Sequence, residues 1–135
     1  FHAPSENEID GQTYPLEGHF VYKTDNGKIT VISVLYNYGD ENQALKQIWD
    51  KMPQAANTET ELSQPISLDD FYPEDKDYYN FEGSLTTPPC TEGVNWIVFK
   101  NQETVSKEQV EKFTQTLGFE NNRPIQDTNG RKIKE

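Results

Sequence analysis

Two histidines, His2 and His19, one cysteine, Cys90, and 23 acidic residues are the side chains here that could ligate a metal or move a proton. A lone histidine is more often structural than a ligand, and His2, four residues before Glu6, says little by itself. His19 stands in LEGHFVYK, residues 16–23, two residues after Glu17. That segment alternates, so Glu17, His19 and Val21 share one face while Leu16, Gly18, Phe20 and Tyr22 share the other. A metal-binding histidine often passes its second ring N–H to a carboxylate, which fixes its tautomer and its aim. A hydrogen-bonded Glu17–His19 pair in a metal-free polar cavity would use the same two residues, so both readings are open at this point. Cys90 and the remaining carboxylates stand at no recognisable metal spacing.

The segment GSLTTPPCTEG, residues 83–93, is the other distinctive one. Pro88 and Pro89 fix the backbone after Thr86 and Thr87 and remove two N–H donors. Such a loop can aim the preceding hydroxyls and amides at a ligand, or it can be an ordinary stiffened loop.

These residues need elements to position them. Residues 16–23 read as a strand, Asp25, Asn26 and Gly27 as a hairpin turn, and residues 28–37 as a second, β-branched strand. A three-residue turn pairs Thr24 with Lys28 and therefore sets Val21 opposite Val31 on the His19 face. Helical spacing of Ala44, Leu45, Ile48, Trp49 and Met52 predicts a helix over 41–52, stopped by Pro53. A short helical turn at 67–71 has Ser67 as its expected cap. Residues 54–65 and 73–93 read as irregular, and 94–100 as a strand. Ser106 caps a helix over 107–117, closed by Gly118, and the tail from 119 reads as irregular. The fold class expected is mainly β with peripheral helices (α+β).

A chain of 135 residues suits one domain, but 33% hydrophobic residues is lean, which suggests a core completed elsewhere. The chain opens on Phe1 and its only methionine is Met52, so Phe1 is not expected to be a raw translation start: the chain reads as a processed product, an engineered segment or a piece of something longer. A formal net charge of −11 disfavours binding to nucleic acid or to anionic membrane surfaces. No apolar run approaches the ~20 residues of a membrane-spanning helix. Cys90 is either a buried or half-buried thiol or one half of a bridge to a cysteine outside this sequence.

In order along the chain, FHAPSEN at 1–7, LEGHFV at 16–21, SLTTPPCTEGVNWIV at 84–98 and NRPIQ at 122–126 resemble the α-class carbonic anhydrases, bacterial members in particular. The resemblance runs along essentially the whole chain, and the threonine–proline loop is its most specific part. It implies a large, twisted, mostly antiparallel sheet, of which residues 1–135 would supply the C-terminal part, with the N-terminal half of the same domain as the absent partner. It implies Zn2+, with His2 and His19 as the second and third zinc histidines; the family pattern puts the first one residue before Phe1. Glu17 would be the partner behind His19. Thr86 would donate to Glu6 and orient a zinc-bound hydroxide that attacks carbon dioxide, giving bicarbonate and a proton. Val21, Val31, Leu85, Val94 and Trp96 would form the apolar wall for carbon dioxide, and Thr87 would line the polar side. The family likeness further implies sulfonamide sensitivity, a bridge from Cys90 to the N-terminal half, a periplasmic or secreted location and, in some members, a homodimer. A non-catalytic carbonic-anhydrase-like binding module, or an inactive fragment, is the competing expectation.

Overall fold

The computed structural model describes residues 1–135. Strands β1 (Leu16–Lys23) and β2 (Ile29–Tyr38) form the expected hairpin. Thr24 donates its N–H to the Lys28 carbonyl at 2.9 Å, and Gly27 turns the chain at φ +83°, a conformation open to glycine. The antiparallel register pairs Val21 with Val31 and His19 with Ser33, as the three-residue turn requires.

The rest of the sheet is built on β2. Strand β4 (Glu92–Phe99) runs parallel to the first half of β2, and β5 (Glu103–Val105) runs parallel to its end. Strand β3 (Tyr78–Ser84) closes the sheet antiparallel to β4, giving the order β1-β2-β4-β3. The two long antiparallel ladders carry most of the pairing.

Strand β3 corrects the expectation of an irregular 73–93. It is an outer strand, half-buried at most positions, so it lacks the in–out alternation that marks a strand with one wet face. Its free edge is met by the tail, where Asn80 and Lys134 exchange two backbone hydrogen bonds of 2.8 Å. The three residues of β5 are too few to carry a pattern. Helix α1 (Gln43–Trp49) is shorter at both ends than the 41–52 expected: Asn42 caps its start by accepting from the Leu45 N–H at 3.0 Å, and past Trp49 the N–H groups of Lys51 and Met52 bond three residues back instead of four. Ser67 precedes a 3-10 turn over Leu68–Phe71 but makes no capping bond. Helix α2 (Lys107–Leu117) has the expected cap at Ser106, where Gln109 completes a capping box, and the expected left-handed Gly118.

The sheet buries both faces. One packs Leu16, Val34 and Tyr36 against Leu45, Trp49 and Phe113 of the helices. The other packs Val31, Leu35, Val94, Trp96 and Val98 with Tyr14. The second face is the one that carries Glu17 and His19.

Candidate metal centre

The opening segment lies along the outer edge of β1. His2 and Glu17 exchange two backbone hydrogen bonds of 2.9 Å, which sets His2 directly beside the Glu17–His19 pair. The chain then turns so that the N–H groups of Glu6 and Asn7 donate to Glu17 Oε2 at 2.6 and 2.9 Å. Ser5 and Tyr14 secure the return, with Ser5 N–H donating to the Tyr14 carbonyl and Tyr14 N–H to Ser5 Oγ, each at 2.9 Å. Residues from 2 to 19 thus converge on one buried point.

At that point His2 Nε2 lies 3.1 Å from Glu6 Oε1, and His19 Nδ1 lies 3.9 Å from the same oxygen. Ligand atoms from His2, Glu6 and His19 all fall within 4.8 Å of one another. His2 Nδ1 is 3.0 Å from the Asn121 carbonyl, which can only accept, so the proton is on Nδ1 and the Nε2 lone pair faces inward. Burial is the largest influence on the His2 pKa and lowers it, which keeps the ring neutral. Glu6 Oε1 is buried without a hydrogen-bond partner. The His2 Nε2 lone pair aimed at a buried carboxylate oxygen with no proton between them is costly, and a cation removes that cost. A nitrogen and oxygen donor set of this kind suits zinc among the common divalent metals.

Glu17 stands behind His19. Its Oε1 is 2.9 Å from His19 Nε2, within reach of a proton on that nitrogen. Oε1 also accepts from Asn7 Nδ2 at 2.6 Å and from Ser33 Oγ. Burial pushes the Glu17 carboxyl up, but His19, Ser33 and Asn7 together outweigh it and hold the carboxyl down at about 2.

The remaining site residues divide between a packed apolar cluster and the loop that follows β3. Val31, Val94 and Trp96 are buried together with Leu85 packed against them, and the Trp96 ring meets His19 edge-on at 4.9 Å. Val21 pairs with Val31 but is 60% exposed and stands outside this packed cluster. Thr86 and Glu6 line one cleft of about 560 Å³, together with Trp96 and Arg123. Glu6 Oε2 accepts from the Arg123 N–H, and Thr86 makes no hydrogen bond to Glu6 here. Thr87 anchors the proline turn by accepting the Cys90 N–H at 2.9 Å. Cys90 is half-buried and unbridged within these 135 residues.

Comparison with known proteins decides the kinship. The eukaryotic-type carbonic anhydrase family matches residues 2–135. The chain belongs to that family. It is 46% identical over 133 residues to a carbonic anhydrase of Pectobacterium carotovorum, covering 98% of this chain and 54% of that protein. It is 47% identical over 135 residues to a carbonic anhydrase of Neisseria gonorrhoeae, covering 100% of this chain and 53% of that one. Among solved structures, the α-carbonic anhydrase of Thermovibrio ammonificans in complex with the inhibitor sulfanilamide superposes with a TM-score of 0.95 at 48% identity, covering 98% of this chain and 58% of that one. The chain spans about half the length of the curated relatives it matches.

Within this chain, the residues that sequence reasoning missed are the supports. Asn121 holds His2 by its carbonyl and the segment around it by its side chain, which accepts from Ala3 N–H and donates to the Phe1 carbonyl. Asn7 and Ser33 hold Glu17. The register alone could have found Ser33, because Val21 opposite Val31 places Ser33 opposite His19. Nothing local could have found Asn121.

Proposed function

We propose that this chain carries two of the zinc histidines of a carbonic anhydrase that hydrates carbon dioxide reversibly to bicarbonate and a proton. The observation that carries the reading is the convergence of His2, Glu6 and His19, whose ligand atoms lie within 4.8 Å of one another around an unpartnered Glu6 oxygen. His2 and His19 would hold the ion. Zinc, when bound, supplies activation of a water near neutral pH, for which carbonic anhydrases are the reference case.

The His2–Glu17 bridge supports a third ligand from the preceding segment. In continued antiparallel pairing, Phe1 lies across from Gly18 and the residue ahead of it across from His19, on the same face. That is where the family pattern puts its first histidine.

The other roles belong to this chain's own atoms. Glu17 fixes the His19 ring, and the Asn121 carbonyl fixes His2 with Nε2 deprotonated and inward. Thr86, which lines the same cleft as Glu6, would orient the nucleophile through its hydroxyl and donate to Glu6. Val31, Leu85, Val94 and Trp96 exclude water and present an apolar surface to carbon dioxide, with Val21 at the open end and Thr87 on the polar side. Neutral carbon dioxide needs no charge for capture, so the −11 surface neither steers nor repels it. The same reading pairs Cys90 with a cysteine of the N-terminal half and places the protein in the periplasm or outside the cell.

The test is zinc stoichiometry and stopped-flow carbon dioxide hydration by the full-length protein, with and without a primary sulfonamide, beside His19→Ala. Fast, sulfonamide-sensitive turnover lost with the zinc in His19→Ala supports the reading. A protein that binds no zinc and hydrates no carbon dioxide overturns it.

A further inference from the structure

Ser33 is out of character with its strand. It lies at the centre of β2 between Ile32 and Val34, fully buried, on the face otherwise filled by Val31 and Leu35. A hydroxyl buried there is costly unless it is bonded, and its hydrogen bond goes to Glu17 Oε1, itself fully buried. Ser33 is also the cross-strand partner of His19, so the two side chains leave adjacent strands on the same face.

The bonding of Glu17 shows what this placement achieves. Oε2 accepts from the N–H groups of Glu6 and Asn7, and Oε1 accepts from Asn7 Nδ2 and Ser33 Oγ. Two neutral donors on each oxygen fix the plane of the carboxylate, with Oε1 turned toward His19 Nε2 at 2.9 Å. Three of the four donors come from Glu6 and Asn7 on one loop. Ser33 alone reaches the carboxylate from the sheet, and it does so on the oxygen nearest His19 Nε2.

We propose that Ser33 is a positioning residue of the metal centre: its hydroxyl sets the Glu17 carboxylate against the sheet and through it the aim of the His19 ring at the ion. This rests on the zinc reading above. Without the hydroxyl, Oε1 keeps only the Asn7 amide as a neutral donor, and His19 Nδ1 loses its fixed approach to the ion.

The test uses the full-length protein loaded with zinc and, in parallel, with cobalt(II). Zinc release to a chelator and the cobalt visible spectrum are compared in wild type, Ser33→Ala, Ser33→Cys and Ser33→Thr. Removing the hydroxyl in Ser33→Ala or Ser33→Cys should speed zinc release by roughly tenfold and shift the cobalt bands, as losses of groups behind metal ligands do. Ser33→Thr, which keeps the hydroxyl, should restore both. Ser33→Cys nearly conserves volume, so packing loss cannot imitate the effect. Release rates and spectra unchanged in Ser33→Ala and Ser33→Cys overturn this inference while leaving the zinc reading intact. A wild-type protein that takes up neither metal overturns both.

Discussion

Asn121 and His2 are 119 residues apart and meet at 3.0 Å, carbonyl oxygen to Nδ1. The contact chooses the histidine tautomer and so leaves Nε2 as the nitrogen that faces Glu6. The Asn121 side chain supports it, accepting from Ala3 N–H at 3.0 Å and donating to the Phe1 carbonyl at 2.9 Å, on either side of His2. Asn121→Ala keeps the carbonyl but removes this clamp. Two lost bonds at a part-buried site should cost about 1–3 kcal/mol of stability. Zinc affinity should fall by roughly tenfold or more as His2 loses its fixed orientation. Urea unfolding and chelator competition measure the two effects. Unchanged affinity at reduced stability would show that the carbonyl alone suffices.

Glu17 makes the metal-free protein sensitive to acid. Its carboxyl is held at about 2 in the fold, against an ordinary value of 4.5. Between those values the unfolded chain binds a proton that the folded one refuses, so stability rises with pH across this window. The contribution is fully present above about 4.5 and is lost as pH falls toward about 2; its size is on the order of 3 kcal/mol. His2, whose pKa is lowered chiefly by burial, acts in the same direction, beginning below its ordinary 6.5. Glu17→Gln should flatten the loss below pH 4.5 and weaken the fold by at least ~2 kcal/mol at neutral pH, since its amide N–H2 confronts existing donors. Denaturant midpoints from pH 2 to 7 for both proteins, zinc removed, check this. Parallel curves for the two would refute the assignment of the acid limb to Glu17.

Gly18 is a requirement of close approach. A Cβ added there would lie 2.9 Å from the Phe1 ring, and the Phe1 ring in turn packs edge-on against Trp49 at 4.9 Å. Gly18→Ala must push Phe1 aside, and Phe1 adjoins His2. The expected cost is about 1–3 kcal/mol of stability, together with weaker zinc retention. Thermal melting and zinc content of the purified variant measure both, and a variant equal to wild type in both would show that Phe1 can move without carrying His2 along.

Local chain geometry explains which parts of the site were legible in the sequence. Alternation put Glu17 and His19 on one face, and the turn length placed Val21 opposite Val31; neither needs knowledge of the rest of the fold. Caps at Ser106 and Gly118 were legible for the same reason. Strand β3 was not, because an outer strand half-buried along its length shows no contrast between faces. The support of His2 was illegible for a different reason. It comes through a backbone carbonyl, which every residue owns, brought back by a tail with no regular structure of its own. NRPIQ marked that tail by resemblance, but the residue holding His2 is Asn121, one position ahead of it.

Trp96 joins the apolar wall to the threonine loop. Its ring packs beside Val31 and Val94, and its Nε1 donates to the Ser84 carbonyl at 3.0 Å, two residues before Thr86. The close approach depends on Gly83, where a Cβ would stand 2.9 Å from the Trp96 ring. Trp96→Phe keeps an aromatic edge toward His19 but releases the Ser84 carbonyl. The lost bond should cost ~1 kcal/mol of stability. The larger effect should be on rate, since Thr86 shifts by a fraction of an ångström relative to the metal site; misplacement of this kind costs roughly tenfold in kcat/KM. Zinc content should stay at the wild-type level, because neither histidine depends on the indole N–H. Stopped-flow hydration with metal analysis on the same samples separates the two effects. A loss of zinc in Trp96→Phe would move the role of Trp96 from the threonine loop to the packing of His19. Wild-type kcat/KM at full zinc occupancy would show that the proline turn and the bonds from Leu85 and Cys90 N–H groups, each 2.9 Å, hold Thr86 without it.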